Sequence, residues 1–162
     1  MQKNQTAASE VEENTLLAIV NEVQGLTGAE TAVVALAEKD GEFIHYADAV
    51  GKHAAWIRGR RGASAGSGIC GVTFQGYSPV LVCDTKGDDR VRQDHAELLG
   101  ITSALGAPLY YQDRLLGALL LFNKADGSPF DTQDEAKLDE YAKQAAPLLA
   151  EYLAEHADMP EE

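Results

Sequence analysis

Apolar residues at Leu16, Ile19/Val20, Val23 and Leu26 recur at the three-to-four spacing of one buried helix face, which predicts a helix from about Val11 to Leu26. Gly25 and Gly28 stop it. The nearly continuous apolar run from Thr31 to Ala37 reads as a largely buried strand. Lys39-Asp40-Gly41 supplies a turn, and Glu42 to Val50 returns as the second strand of a hairpin. An irregular stretch follows, broken by short helical pieces and punctuated by Gly59, Gly62, Gly66, Gly68 and Gly71. Pro79 to Cys83 has the pattern of a short strand, and Arg90 to Leu99 that of a helix closed by Gly100. Ser103 to Tyr111 and Leu115 to Phe122 form a second hairpin around Gln112-Asp113-Arg114. After the loop Ala125 to Pro129, a long helix runs from about Asp131 to Glu155. Its apolar stripe is Leu138, Tyr141/Ala142, Ala145, Leu148/Leu149 and Tyr152/Leu153. Pro147 lies inside that stripe and should kink or split the helix, because its ring meets the carbonyl of Lys143. Two hairpins among helices imply an antiparallel sheet, and so an α+β fold rather than a doubly wound parallel one.

A chain of 162 residues fits one domain, assigned to residues 11–155, with polar ends at 1–10 and 156–162 expected to fray. The longest clear apolar run, Leu115 to Phe122, has eight residues, far short of a membrane span. Met-Gln-Lys-Asn-Gln-Thr at the start has no hydrophobic signal region, so a cytoplasmic protein is expected. The net charge of −13 repels phosphate backbones and argues against a nucleic-acid partner. That charge is uneven. Between Asp48 and Asp84 there is no Asp or Glu, while Lys52, Arg58, Arg60 and Arg61 all fall there. Such a segment can focus a small anion onto one loop, or it can be a solvated Arg-rich turn.

Gly66-Ser67-Gly68-Ile69-Cys70-Gly71 fits GxGxxG, yet no apolar strand precedes it and no βαβ unit surrounds it, so a dinucleotide site is not expected. A P-loop fails as well, since no Lys-Ser or Lys-Thr follows the glycines. The histidines His45, His53, His95 and His156 have no metal-binding spacing, and no metal is expected. Cys70 and Cys83 read either as two buried thiols or as a redox pair, with no sequence neighbour that would lower their pKa.

Four segments in succession carry a resemblance. Gly68-Ile69-Cys70-Gly71, Pro79-Val80-Leu81-Val82-Cys83-Asp84, Ala107-Pro108-Leu109 and Leu116-Gly117-Ala118-Leu119 closely resemble the motifs of GAF domains, over about Thr15 to Tyr152. The resemblance implies a six-stranded antiparallel sheet with helices on both faces. It implies a ligand enclosed between the sheet and segments near His53 to Tyr77 and Arg90 to Leu99. Asn123-Lys124, Phe130 and Asp134-Glu135 are similar to a pattern of the cyclic-nucleotide-binding members, in which the Lys and Asp form a structural ion pair. The same residues also fit a capping box, Thr132 to Glu135, with Phe130 as a hydrophobic staple.

Family resemblance divides the ligand question three ways. Bilin photoreceptors carry a Cys before a His that aligns with His95. Asp94 stands there, so a covalent bilin is not expected. Free methionine sulfoxide reductases share the Gly-x-x-Cys-Gly element, but their catalytic Cys falls at Glu97. A non-catalytic sensor remains, with no cofactor and with a cyclic nucleotide as the leading ligand. In that reading Arg58, Arg60 or Arg61 meets the phosphate, and Trp56 or Phe74 stacks on the base. Asp84, Asp94 and His95 hydrogen-bond ribose or base, and Cys70 counts among the pocket residues. Asp94 disfavours an anion close by. Partners expected are the small ligand, a second copy through the first and last helices, and an effector protein in trans; with no room for an output domain in these residues, the alternative is that they are a piece of a larger protein. The alternatives are a reductase-like enzyme and an interaction module whose pocket is filled by side chains.

Overall fold

The computed structural model describes residues 2–157, with side chains described over residues 15–156. Its first element is the helix α1 (Gln2–Thr27), followed by the hairpin β1 (Ala29–Glu38) and β2 (Phe43–Gly51). Short pieces come next: α2 (Ala54–Ile57), β3 (Arg61–Ala63), α3 (Ile69–Phe74), β4 (Val80–Val82) and α4 (Gln93–Leu99). A second hairpin, β5 (Ala104–Tyr111) and β6 (Arg114–Lys124), leads to the last helix, α5 (Thr132–Ala157). The first helix therefore begins ahead of the Val11 expected from periodicity. Residue 1 and residues 158–162, with most of the C-terminal segment expected to fray, lie outside the described residues.

All strands join one antiparallel six-stranded sheet in the order β3-β2-β1-β6-β5-β4. The two hairpins meet at its centre, where β1 pairs with β6. Strand residues alternate between two cores, as side chains on a pleated sheet must. Ala32, Val34, Leu105, Leu109, Leu119 and Leu121 pack with Ile19 and Val23 of α1 and with Leu138, Ala142 and Leu149 of α5. Val33, Ala35, Ile44, Ala104, Ala118 and Leu120 face the other way, toward α2, α3 and α4. Two long helices thus close one face of the sheet and three short ones the other. Among the described residues, no helix is long and apolar enough to cross a membrane.

Several local expectations are corrected. The second hairpin turns on two residues rather than three, because Tyr111 pairs with Arg114. Gln112 and Asp113 both take positive φ, 52° and 65°, the pattern of a tight primed turn. The helix expected from Arg90 begins only at Gln93. Arg90 is spent on Asp88: its backbone N–H and its guanidinium both donate to that carboxylate, at 2.8–3.0 Å, which fixes a turn in place of a helical one. Pro147 does not split α5, which runs on to Ala157. Pro147 and Lys143 are exposed, so water can satisfy the carbonyl that loses its helical partner. Leu148, expected in the stripe, points outward at 55% exposure while Leu149 is buried.

Candidate functional site

Between the sheet and the three short helices lies a cavity of about 90 Å³. Its floor is the sheet face carrying Ala104, Leu120 and Phe122. Ile57, Ile69, Ala96 and Leu99 from the three helices complete an apolar lining. Tyr46 faces the cavity side two residues after Ile44, immediately before a defect in the sheet. Ala35 pairs with Tyr46, but Val34 pairs with Asp48, so β2 holds an extra residue, Ala47, at that point. The bulge resets the alternation, and Tyr46 joins the same core as Ala49 although the two are three residues apart. Backbone hydrogen bonds then tie Tyr46 to the next segment, Tyr46 N to the Arg60 carbonyl at 2.9 Å and Gly59 N to the Tyr46 carbonyl at 2.7 Å.

Polar groups enter this apolar space at two places. In the wall, the Tyr46 hydroxyl sits against the Cys70 thiol. Burial pushes both groups well above their ordinary pKa, so both stay protonated at neutral pH. Toward the surface, Trp56 is held by three contacts. The Arg60 guanidinium carbon lies 3.3 Å from its ring centroid, and Arg60 Nε donates to its carbonyl at 2.7 Å. The His95 ring meets it edge-on with centroids 5.3 Å apart. Burial lowers the His95 pKa, and Arg92 lowers it further against the opposing pull of Asp94. Arg92, at the start of α4, donates to both oxygens of Asp94 at 3.1 and 2.6 Å. That pairing drops the Asp94 carboxyl to about 2. Gly68 has φ of 74°, and a Cβ there would stand 2.9 Å from the Arg92 backbone nitrogen. A side chain at Gly71 would meet the Ser64 carbonyl oxygen at 2.1 Å. Gly68 and Gly71 of the GxGxxG match therefore serve close packing of α3 against its neighbours, while Gly66 stands in open space at a positive φ.

Of the residues singled out from sequence, Trp56, Arg60, Cys70 and His95 line the cavity. Arg58 instead pairs with Asp48 at 3.0 Å and donates to the Ala49 carbonyl at 2.7 Å. Arg61 pairs with Glu38 at 3.4 Å. Phe74 is buried in the core beneath α3 without reaching the cavity lining. Asp84 is exposed and accepts from the Lys86 N–H at 3.0 Å, while Asp94 is exposed and turned to Arg92. Tyr46 and Arg92 were missed. Tyr46 had the signal of an aromatic two residues after buried Ile44, which the bulge obscured for the rest of the strand. Among the described residues, no group of three or more His, Cys, Asp or Glu is placed to hold a metal.

The second motif is a bracket beside the site. Asn123 Oδ1 accepts from Thr102 N and Ser103 N at 2.8 and 3.2 Å, and Nδ2 donates to the Gly100 carbonyl at 2.9 Å. The turn that ends α4 is thereby pinned to β6. Lys124 pairs with buried Asp134 at 3.2 Å. The capping box lies one residue earlier than expected. Asp131 N donates to Asp134 Oδ2 at 3.0 Å, and Asp134 N to Asp131 Oδ1 at 2.9 Å. Cap and ion pair are made by the same Asp134 carboxylate, so the two coexist in one turn. Phe130 is fully buried, and its N–H donates to Ser103 Oγ at 2.9 Å.

A six-stranded antiparallel sheet with two long helices on one face and a cavity roofed by short helices on the other defines the class, a single-sheet α+β domain. The sequence model of the GAF domain family matches residues 12–149, and the chain belongs to that family. Solved structures of the same fold include the second GAF domain of DevS from Mycobacterium smegmatis, with TM-score 0.71 and 18% identity, covering 91% of this chain and 99% of that one. The GAF domain/HD domain protein from Geobacter sulfurreducens superposes with TM-score 0.74 at 14% identity, over 88% and 94% of the two chains. A type II free methionine-R-sulfoxide reductase from Thermoplasma acidophilum does so with TM-score 0.68 at 20% identity, over 87% and 96%. A comparison with curated proteins finds no match.

Proposed function

We propose that this chain is a non-catalytic sensory domain that binds a small organic molecule in the cavity beneath α2, α3 and α4. The observation that carries the reading is a concave, largely apolar space, partly open to solvent, with a few convergent polar groups, the usual form of a ligand site. The chemistry of the cavity argues against a thiol enzyme. Cys70 is protonated and buried, and a thiol is a poor nucleophile until ionised. Glu97, where the resemblance places a catalytic cysteine, is exposed on α4.

A cyclic nucleotide is the larger candidate. The cavity of about 90 Å³ falls below the roughly 300–1,000 Å³ of drug-sized ligand pockets, so that ligand needs α4 to swing outward first. Output in this reading passes through the outer faces of α1 and α5, where Leu26 and Leu148 are exposed, to a second copy of the chain and to an effector. A sedimentation profile that stays monomeric at high concentration, with and without ligand, would remove the dimer.

The test uses the protein's single tryptophan, Trp56, as a probe at the cavity. Cyclic AMP, cyclic GMP, free methionine sulfoxide and small organic acids are titrated by fluorescence and thermal shift. A ligand at about 100 times its dissociation constant adds roughly 2.7 kcal/mol, or about 5 to 11 °C at this size. Saturable binding without turnover supports a sensor. Reduction of methionine-R-sulfoxide in the presence of a thiol reductant, lost in Cys70→Ser, would make the chain an enzyme.

A further inference from the structure

The cavity and the charges at its mouth narrow the ligand. The geometry points to a single-ring aromatic monocarboxylate, its ring in the apolar space and its carboxylate on Arg60. This inference rests on the cavity being a ligand site. Size is the first argument. An engineered cavity of about 150 Å³ with a comparable apolar lining takes one benzene. A space of about 90 Å³ is of that order, so one ring with small side-chain adjustments is the upper limit of the closed form.

Charge is the second argument. Arg58, Arg61, Arg90 and Arg92 each have a carboxylate within 4 Å, on Asp48, Glu38, Asp88 and Asp94. Arg60, which lines the cavity with Arg92, has none among the described residues. The mouth therefore carries one uncompensated positive charge, which suits a monoanion better than a phosphate. The guanidinium is also oriented in advance. Its plane rests on Trp56 and its Nε is used on the Trp56 carbonyl, which leaves the Nη edge to face a carboxylate with two parallel donors. Arg92 lines the cavity too, but the Asp94 carboxylate on its Nε and one Nη already neutralises it, so it adds no net charge to the mouth.

The third argument is the lining between these ends. Ile57, Ile69, Leu99 and Leu120 offer no hydrogen bond to a sugar or a chain of hydroxyls, whereas a ring loses nothing there. Carboxylate at the mouth and ring within is the one orientation that satisfies both regions.

Sodium benzoate is the probe, with benzyl alcohol as its neutral counterpart and acetate as the carboxylate without a ring. Binding is read by calorimetry and thermal shift on the full chain. Benzoate should bind roughly 10- to 100-fold more tightly than benzyl alcohol, the usual worth of a hydrogen bond to a charged group. Arg60→Gln should remove that preference, and Arg58→Gln should leave it intact. Arg60 is exposed, and an unchanged melting temperature of the unliganded variant shows that the fold survives. Equal affinity for benzoate and benzyl alcohol, or a preference that survives Arg60→Gln, overturns the assignment to Arg60. Acetate binding as well as benzoate overturns the ring. Saturable binding of a cyclic nucleotide with none of benzoate refutes the aromatic acid and leaves the sensory reading standing. Benzoate binding that persists unchanged in Ala104→Phe, which fills the cavity floor, places the site elsewhere and overturns both.

Discussion

Asn123 offers a direct test of how the site is held. Its φ of 61° lies in the left-handed region, where asparagine is tolerated and alanine is not favoured. Its side chain also accepts from the Thr102 hydroxyl at 3.2 Å and donates to Glu30 at 3.3 Å, besides gripping the turn after α4. Asn123→Ala deletes all of these bonds. Thr102 and Gly100 are exposed and regain water, but Ser103 is buried and its N–H is left without a partner, at about 1–3 kcal/mol. Left-handed backbone adds about 1–2 kcal/mol for alanine. Together the loss is about 2–5 kcal/mol, or roughly 4–20 °C in melting temperature at this size.

Two companion variants separate the contributions. Asn123→Gly loses the same bonds but not the backbone cost, set against about 0.4–1 kcal/mol of extra unfolded-state entropy, so it should be destabilised less than alanine. Asn123→Asp keeps the acceptor for Thr102 and Ser103 but turns a carboxylate toward the Gly100 carbonyl and Glu30. Its deficit should be present at pH 7 and shrink near pH 4, where a carboxyl takes up a proton. Urea unfolding followed by Trp56 fluorescence measures all three. If every variant lies within about 0.5 kcal/mol of the parent, the bracket carries no weight and the argument fails. If glycine is worse than alanine, the backbone account is wrong.

Gly71→Ala should cost about 1–3 kcal/mol or more, because its Cβ would press on the Ser64 carbonyl at 2.1 Å. Gly66→Ala, with no atom within 4 Å, should show only the cost of its positive φ, and thermal melts of the two compare them. Pro147→Ala should stabilise by about 1–3 kcal/mol, since the exposed proline interrupts α5 without packing to compensate; a neutral or negative change in chemical denaturation would refute this. His95 is held below its ordinary pKa, first by burial and then by Arg92, so the stability it confers is complete above about pH 6.5 and lost as the pH falls toward its folded pKa. His95→Gln should flatten the stability profile between about pH 7 and 5 relative to the parent, and parallel profiles would sink the assignment.

What could be read from the chain divides along physical lines. Hairpins and the last helix were legible because their periodicity is dictated by a single burial direction per residue. The bulge at Ala47 was not, since an extra residue breaks that periodicity and needs a partner strand to reveal it. The basic stretch could be read either as an anion site or as a solvated turn because its neutralising partners lie outside it. Glu38 and Asp48 return to Arg61 and Arg58 only when β2 folds against β3. The cap at Asp131 was misplaced by one residue, because the Thr132 hydroxyl is as good a cap acceptor as the Asp131 carboxylate and only backbone geometry chooses between them. The GAF family itself was legible, as its motifs lie at the close-packing glycines and sheet centre that the fold requires.

Ligand identity was not legible for a related reason. The Asn123, Lys124 and Asp134 pattern does its work in a bracket and a helix cap, and a bracket is compatible with many occupants. In the proposed sensory reading, selectivity resides in the cavity wall, and the same wall offers a route by which occupancy is transmitted. Along β6, Ala118, Leu120 and Phe122 face the cavity side while Leu119 and Leu121 pack with α1 and α5. Because the strand alternates, any displacement of β6 by a ligand is felt on the opposite face within one residue. Asn123 fastens the end of the α4 roof to this strand, so roof and strand share one linkage. A ligand shifts that linkage only by its difference in affinity between the open and closed roof. A ligand small enough to fit beneath the closed roof therefore drives closure, whereas one that must hold α4 outward drives the reverse, and the two classes of ligand predict opposite movements of the terminal helices.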